Sequence, residues 1–210
     1  MPHTRTLLRV SIFLVLLCAS VLASKACGAC AEVRNGNIYY RGADGKLRRI
    51  TEGGRNHSPA VSPDGAQVVF VRDAVDYSEY NDFTRSGPAT RVMQLWVANL
   101  ATGETHLALD SPVEVGGRKY SGFYAPQFSG NGHQIYFMVQ SSASSGSVLR
   151  VATLGGQPSY FAEALDFAVI PAGQYKDDLI IQQHRSKLAM GYYDWFYLFR
   201  PDSSEVGVIG

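Results

Sequence analysis

The chain has 210 residues, 46% of them hydrophobic and 18% charged, with a formal net charge of +1. That length gives one domain as the default, with ample apolar material for a core. A near-neutral balance without a basic block argues against nucleic acid or an anionic membrane as the main partner.

The first residues read as a secretory signal. Arg5 and Arg9 precede an apolar run over residues 10–22, and small residues follow. Ser24-Lys25-Ala26 is an acceptable small-x-small site, so residues 1–26 are expected to be removed by cleavage after Ala26. An uncleaved anchor is the alternative, but the thirteen-residue run is short for a span, and no membrane span is expected in the mature chain. Loss of Arg5, Arg9 and Lys25 leaves 16 Lys and Arg against 18 Asp and Glu, a mature charge of −2. Cys18 falls in the signal core, while Cys27 and Cys30 flank the cleavage region. Their Cys-x-x-Cys spacing is not on a strand-to-helix turn, which argues against redox catalysis. Gly28-Ala29 before Cys30 also suits a lipid attachment site. The expected location is therefore periplasmic or secreted, with lipid anchoring through Cys30 as an alternative.

Residues 27–36 read as a linker, and residues 37–210 as the folded domain. No segment has sustained helical periodicity; short apolar runs alternate with Gly, Asp, Asn and Ser turns, an all-β signal. The first strand pair is expected at 37–40 and 47–51. Three sets of four follow: 60–62, 68–72, 94–99 and 105–109; then 126–129, 134–139, 147–152 and 157–161; then 167–170, 178–183, 195–200 and 205–209. The most informative stretch is residues 58–73, SPAVSPDGAQVVFVRD. In its SPDG turn, Pro63 presets φ, Asp64 bonds the backbone ahead, and Gly65 accepts positive φ. The unit recurs at 126–139 as PQFSGNGHQIYFMV and, eroded, at 167–181. A four-strand unit recurring every 40 to 60 residues indicates a propeller.

Pro59-Ala-Val-Ser-Pro-Asp-Gly65, preceded by Ile50-Thr-Glu-Gly-Gly54, resembles the TolB-like (PD40, WD40-like) β-propeller repeat. Val61 stands where that repeat usually has Trp, and Phe128 holds the aromatic position in the second copy. The resemblance implies a propeller fold and, since such repeats serve both binding proteins and peptidase accessory domains, says little about activity. The α/β domain of TolB has no counterpart here. The strand count gives a small or partial propeller of about three and a half four-stranded blades, closing as a monomeric ring or pairing its open edges in a homodimer.

The tight turns sort to one face and the long insertions, residues 73–91, 110–125, 140–146 and 184–194, to the other, as binding faces are built. Those insertions carry Tyr77, Tyr80, Phe83, Tyr120, Phe123, Tyr124, Tyr192 and Tyr193, with His184 at the start of one, and these are the expected partner-binding residues. Tyr77, Tyr80 and Tyr120 are expected to face outward most. The same rings could instead cap blade ends. Asp73, Asp76, Glu79 and Asp82 recur every third residue without a calcium-loop pattern. The mature histidines, His57, His106, His133 and His184, lack zinc spacing, so neither metal nor cofactor is expected. Nor is there a Gly-x-Ser-x-Gly elbow. The expected function is non-catalytic binding of a protein or peptide in the cell envelope. The alternatives are a propeller-type hydrolase of glycan or peptide using Asp73, Asp76, Glu79 or His184, and a half-propeller assembly protein.

Overall fold

The computed structural model describes residues 30–74, 93–120, 122–140, 146–187 and 191–209. Every described element is a β-strand. The first sheet contains β1 (Cys30–Arg34), β2 (Asn37–Arg41) and β3 (Leu47–Arg49). The second contains β4 (Asn56–Val61), β5 (Gln67–Asp73), β6 (Met93–Asn99) and β7 (Thr105–Leu109). A small hairpin, β8 (Val113–Val115) and β9 (Arg118–Tyr120), leads into the third. That sheet holds β10 (Phe123–Phe128), β11 (Gln134–Gln140), β12 (Gly146–Ala152) and β13 (Ser159–Ala164). The fourth holds β14 (Asp166–Val169), β15 (Leu179–Lys187), β16 (Gly191–Phe199) and β17 (Glu205–Ile209). Within each sheet sequential strands pair antiparallel, the meander of a propeller blade. All twelve strands of the three sets of four are present, with bounds that differ from the sequence reading by up to four residues, as at β4, expected at 60–62 and found at Asn56–Val61.

Two elements depart from the sequence reading. Residues 30–34, expected as linker, form β1, because Asn35-Gly36 makes a two-residue hairpin with φ of 50° and 69°. Positive φ at both central positions is what a type I′ turn needs. The insertion at 110–125, expected as a loop, carries the β8–β9 hairpin, turned by Gly116 and Gly117 at φ of 59° and 75°.

The repeated turn is a side-chain knot. The Ser62 hydroxyl accepts from the Gln67 N–H (2.8 Å) and donates to Asp64 Oδ1 (2.6 Å), which accepts from the Ala66 N–H (3.0 Å). Ser129, Asn131, His133 and Gln134 repeat it at 3.0, 2.7 and 2.9 Å. Both serines are buried, and these bonds are what make burying a hydroxyl tolerable. The inner strands β4 and β10 also share a bulge, with φ of 50° at Ser58 and 47° at Ala125, each before a proline. A strain that recurs in two blades belongs to the fold.

Sheets two and three are covered on both faces, which explains their continuous apolar strands. Val68 and Phe70 pack toward the first sheet, and Val69 and Val71 toward the third. Ile135 and Phe137 join the core between sheets two and three, whereas Tyr136 and Met138 join the next one, with Phe161, Leu179, Ile181, Tyr197 and Phe199. Hydrogen bonds cross the same junctions. Asn56 donates from N and Nδ2 to Gly36 O (2.8 and 3.1 Å), and His106 Nε2 lies 3.0 Å from Thr153 O. Gln127 donates to Phe167 O and accepts from the Val169 N–H, both at 3.0 Å. Among the described residues no core cluster joins the fourth sheet to the first, so the four sheets form an arc. The turn ending β1 sits against the start of β4, so β1 runs opposite to β4. The first sheet thus supplies the three outer strands of a blade, one more than the sequence reading gave it.

Candidate functional site

The connections between second and third strands, and those between sheets, share one face, that of the sequence-predicted insertions. Tyr77, Tyr80 and Phe83, with Asp76, Glu79 and Asp82, lie outside the described residues. Two expected contact residues are core residues instead. Phe123 is 0% exposed and packs edge-on against Phe137 at 5.1 Å; Tyr120 is 6% exposed. The reason is the β8–β9 hairpin, which turns Val113 and Tyr120 onto the end of the core between sheets two and three. Tyr124, Tyr192 and Tyr193 remain on the surface at 39, 69 and 41% exposure.

The β15–β16 hairpin splits the remaining set by its two-residue period. Gln183, Arg185 and Tyr193 share the face toward sheet three, since Gln183 pairs with Trp195 and Arg185 with Tyr193. His184, Tyr192 and Asp194 share the opposite face. There His184 stacks on Tyr192 (5.2 Å, 5° between planes), and its Nδ1 lies 2.6 Å from Asp194 Oδ1.

Between β13 and β15 a cleft of about 360 Å³ opens, walled by Tyr160, Phe161, Glu163, Gln183, Arg185 and Phe199. Arg185 is fixed in place: its two Nη atoms bond the Glu205 carboxylate at 3.2 and 2.6 Å, and its guanidinium lies 3.7 Å from the Tyr197 ring centroid. The bonded Glu205 carboxylate holds the Arg185 pKa above its ordinary value. Gln183 is 8% exposed and donates Nε2 to Glu163 O at 2.6 Å, while its buried Oε1 has no protein partner. Burial, then the Glu163 charge, pushes the Tyr160 phenol pKa up; burial, then Asp166, does so for Tyr124. Both stay neutral donors near neutral pH. Sequence reasoning missed Gln183, Tyr160 and Arg185. The run LIIQQHR signals a strand that turns from apolar to polar along its length but does not show that a neighbouring blade stands across from it.

The acid–base groups are placed differently. His57 Nε2 lies 3.4 Å from Asp73 Oδ1, and its Nδ1 lies 3.0 Å from Ser58 Oγ, on the bulge that recurs at Ala125. Among the described residues no group of three or more His, Cys, Asp or Glu is placed to hold a metal ion. No described helix is long and apolar enough to cross a membrane.

No family model and no curated protein sequence matches the chain. Solved structures do. TolB from Acinetobacter baumannii aligns at TM-score 0.52 and 14% identity, over 86% of this chain and 39% of that one. The β-propeller domain of the Trilobed protease from Pyrococcus furiosus, described as having an open velcro topology, aligns at 0.53 and 13%, over 85% and 52%. Porphyromonas gingivalis dipeptidyl peptidase 4 aligns at 0.58 and 14%, over 87% and 31%. The chain thus spans between about a third and a half of these relatives. The blade meander, the repeated Ser-x-Asx-Gly knot and these alignments together make the chain a β-propeller of TolB-like fold, here a partial one.

Proposed function

We propose that the protein is an exported, non-catalytic binding module that takes a protein or peptide segment in the cell envelope. The segment sits on the loop-bearing face, at the cleft between the third and fourth blades. The observation that carries this reading is the cleft itself, about 360 Å³ between the two blades and walled by aromatic rings and the fixed Arg185 guanidinium. Tyr124 and Tyr193 add large, half-exposed rings with polar tips, the side chains that carry contact energy at interfaces. Tyr77, Tyr80 and Phe83, which follow β5 in sequence, are read as part of the same contact set. Export rests on the signal pattern of residues 1–26, with Cys30 the residue that would carry a lipid anchor.

Random peptides displayed on phage and panned on the protein test the reading. Enriched peptides should bind Tyr124→Ala and Tyr193→Ala at least tenfold more weakly, with an unchanged circular dichroism spectrum. Failure to enrich any sequence, or equal binding by both variants, refutes it. Hydrolysis at the ring mouth is the second reading, favoured by the His57–Asp73 contact. It requires peptidase or glycosidase turnover that disappears in Asp73→Asn.

A further inference from the structure

Among the described residues, the arc ends in two sheet faces of opposite character that no core cluster covers. Cross-strand pairs share a face, so the register assigns the residues on each. On the far side of the first sheet, away from the second, lie Glu32, Arg34, Tyr39, Arg41 and Arg49. Arg34 and Arg41 both approach Glu32 Oε1, at 2.5 and 3.9 Å. Three guanidinium groups against one carboxylate leave that face net positive by two charges. On the far side of the fourth sheet, away from the third, lie Asp166, Ile180, Tyr192, Asp194, Phe196 and Ile209. Its two carboxylates, Asp166 and Asp194, are its acidic groups, and its rings are uncovered: Tyr192 is 69% and Phe196 48% exposed. The other sheet faces of the arc are buried in its three cores.

We propose that the apolar, acidic face of the fourth sheet docks the basic face of the first sheet of a second copy of this chain, and that two such junctions close a twofold ring of eight blades. The opposite charges favour head-to-tail pairing, because like faces would place equal charges together. Area favours two junctions over one. Three strands at about 4.8 Å and five residues at about 3.4 Å give each first-sheet face a flat footprint of roughly 240 Å². One junction then buries roughly 500 Å², the size of a lattice contact, and a closed pair roughly 1,000 Å², where specific interfaces begin. Head-to-tail contacts that fail to close propagate into fibres, and eight is within the usual range of blade numbers.

Light scattering after size exclusion tests this on the purified protein at several concentrations and at low and high salt. A mass twice that of the chain, falling toward the monomer at high salt, is expected. Asp166→Lys with Asp194→Lys should give monomer, as should Phe196→Glu, each with a wild-type circular dichroism spectrum. Adding Arg34→Glu and Arg41→Glu to the paired lysine variant should restore the dimer, which a generally damaged fold would not allow. A monomer at all concentrations, an open polymer, or a dimer indifferent to these changes overturns the proposal. A dimer that forms normally while peptides no longer bind would count against the cleft alone, so the two readings fail separately.

Discussion

Gln127 bridges two blades with one side chain, and its replacement by leucine should loosen the fourth blade before the rest. Its Nε2 donates to Phe167 O and its Oε1 accepts from the Val169 N–H, both at 3.0 Å. β10 and β14 make no ladder with each other, so Gln127 stands in for one. Leucine keeps the volume and removes both bonds, leaving a carbonyl and an amide without partners beside buried Phe167. At about 1–1.5 kcal/mol for each, the loss is roughly 2–3 kcal/mol, or about 4–12 °C in Tm for a domain of this size. The assay is urea unfolding followed through one tryptophan at a time. Trp96 lies in sheet two and Trp195 in sheet four, so Trp96→Phe and Trp195→Phe backgrounds separate the reporters. Gln127→Leu should move the Trp195 midpoint to lower urea by more than the Trp96 midpoint. A change below about 0.5 kcal/mol, the level of an ordinary surface substitution, or an equal shift at both reporters, would refute the bridge as a local blade-to-blade tie.

Ser62→Ala removes the acceptor of the Gln67 N–H inside a tight turn and should cost about 1–3 kcal/mol by chemical denaturation; an unchanged midpoint would mean that solvent replaces the hydroxyl. Gly36→Ala should be worse, because the added methyl would stand 2.0 Å from Gly54 O at a φ of 69°, and expression as soluble protein would contradict that. The Ser62 hydroxyl, then the Ala66 N–H, hold the Asp64 carboxyl below its ordinary value. A depressed folded pKa gives stability that is present above the unfolded value and lost as pH falls through the folded one. The urea midpoint should therefore drop below about pH 4 less steeply in Asp64→Asn than in the parent; parallel curves would remove Asp64 from the acid response.

Strand positions were legible wherever composition alternates sharply with turn residues, and the SPDG knot announces itself because each residue in it has a separate local duty. Asn35-Gly36 is equally local, yet β1 was read as linker. CAEVR is short, and Glu32 and Arg34 break its apolar run, so its pattern alone does not mark a strand. Tyr120 and Phe123 were misjudged for a longer-range reason. Sequence reveals that an insertion is aromatic, but whether its rings point out depends on the small hairpin that folds it back, and two adjacent glycines are a weak sign of that. The cleft was out of reach altogether. Gln183 of β15 and Glu163 of β13 meet across a junction between blades, a contact that no periodicity within either strand encodes.

The three separate cores have a consequence for how such a chain can change length. Among the described residues, each sheet shares a core only with its sequence neighbours, and each SPDG-type knot is closed by residues within six positions of one another. Stability in such an array is close to a sum of unit and nearest-neighbour contributions. A duplicated blade inserted in frame would bring its own turn chemistry, bury both its faces, and leave the two end surfaces as they were. The molecule can therefore grow by copying an interior segment, without redesign of the parts already in place.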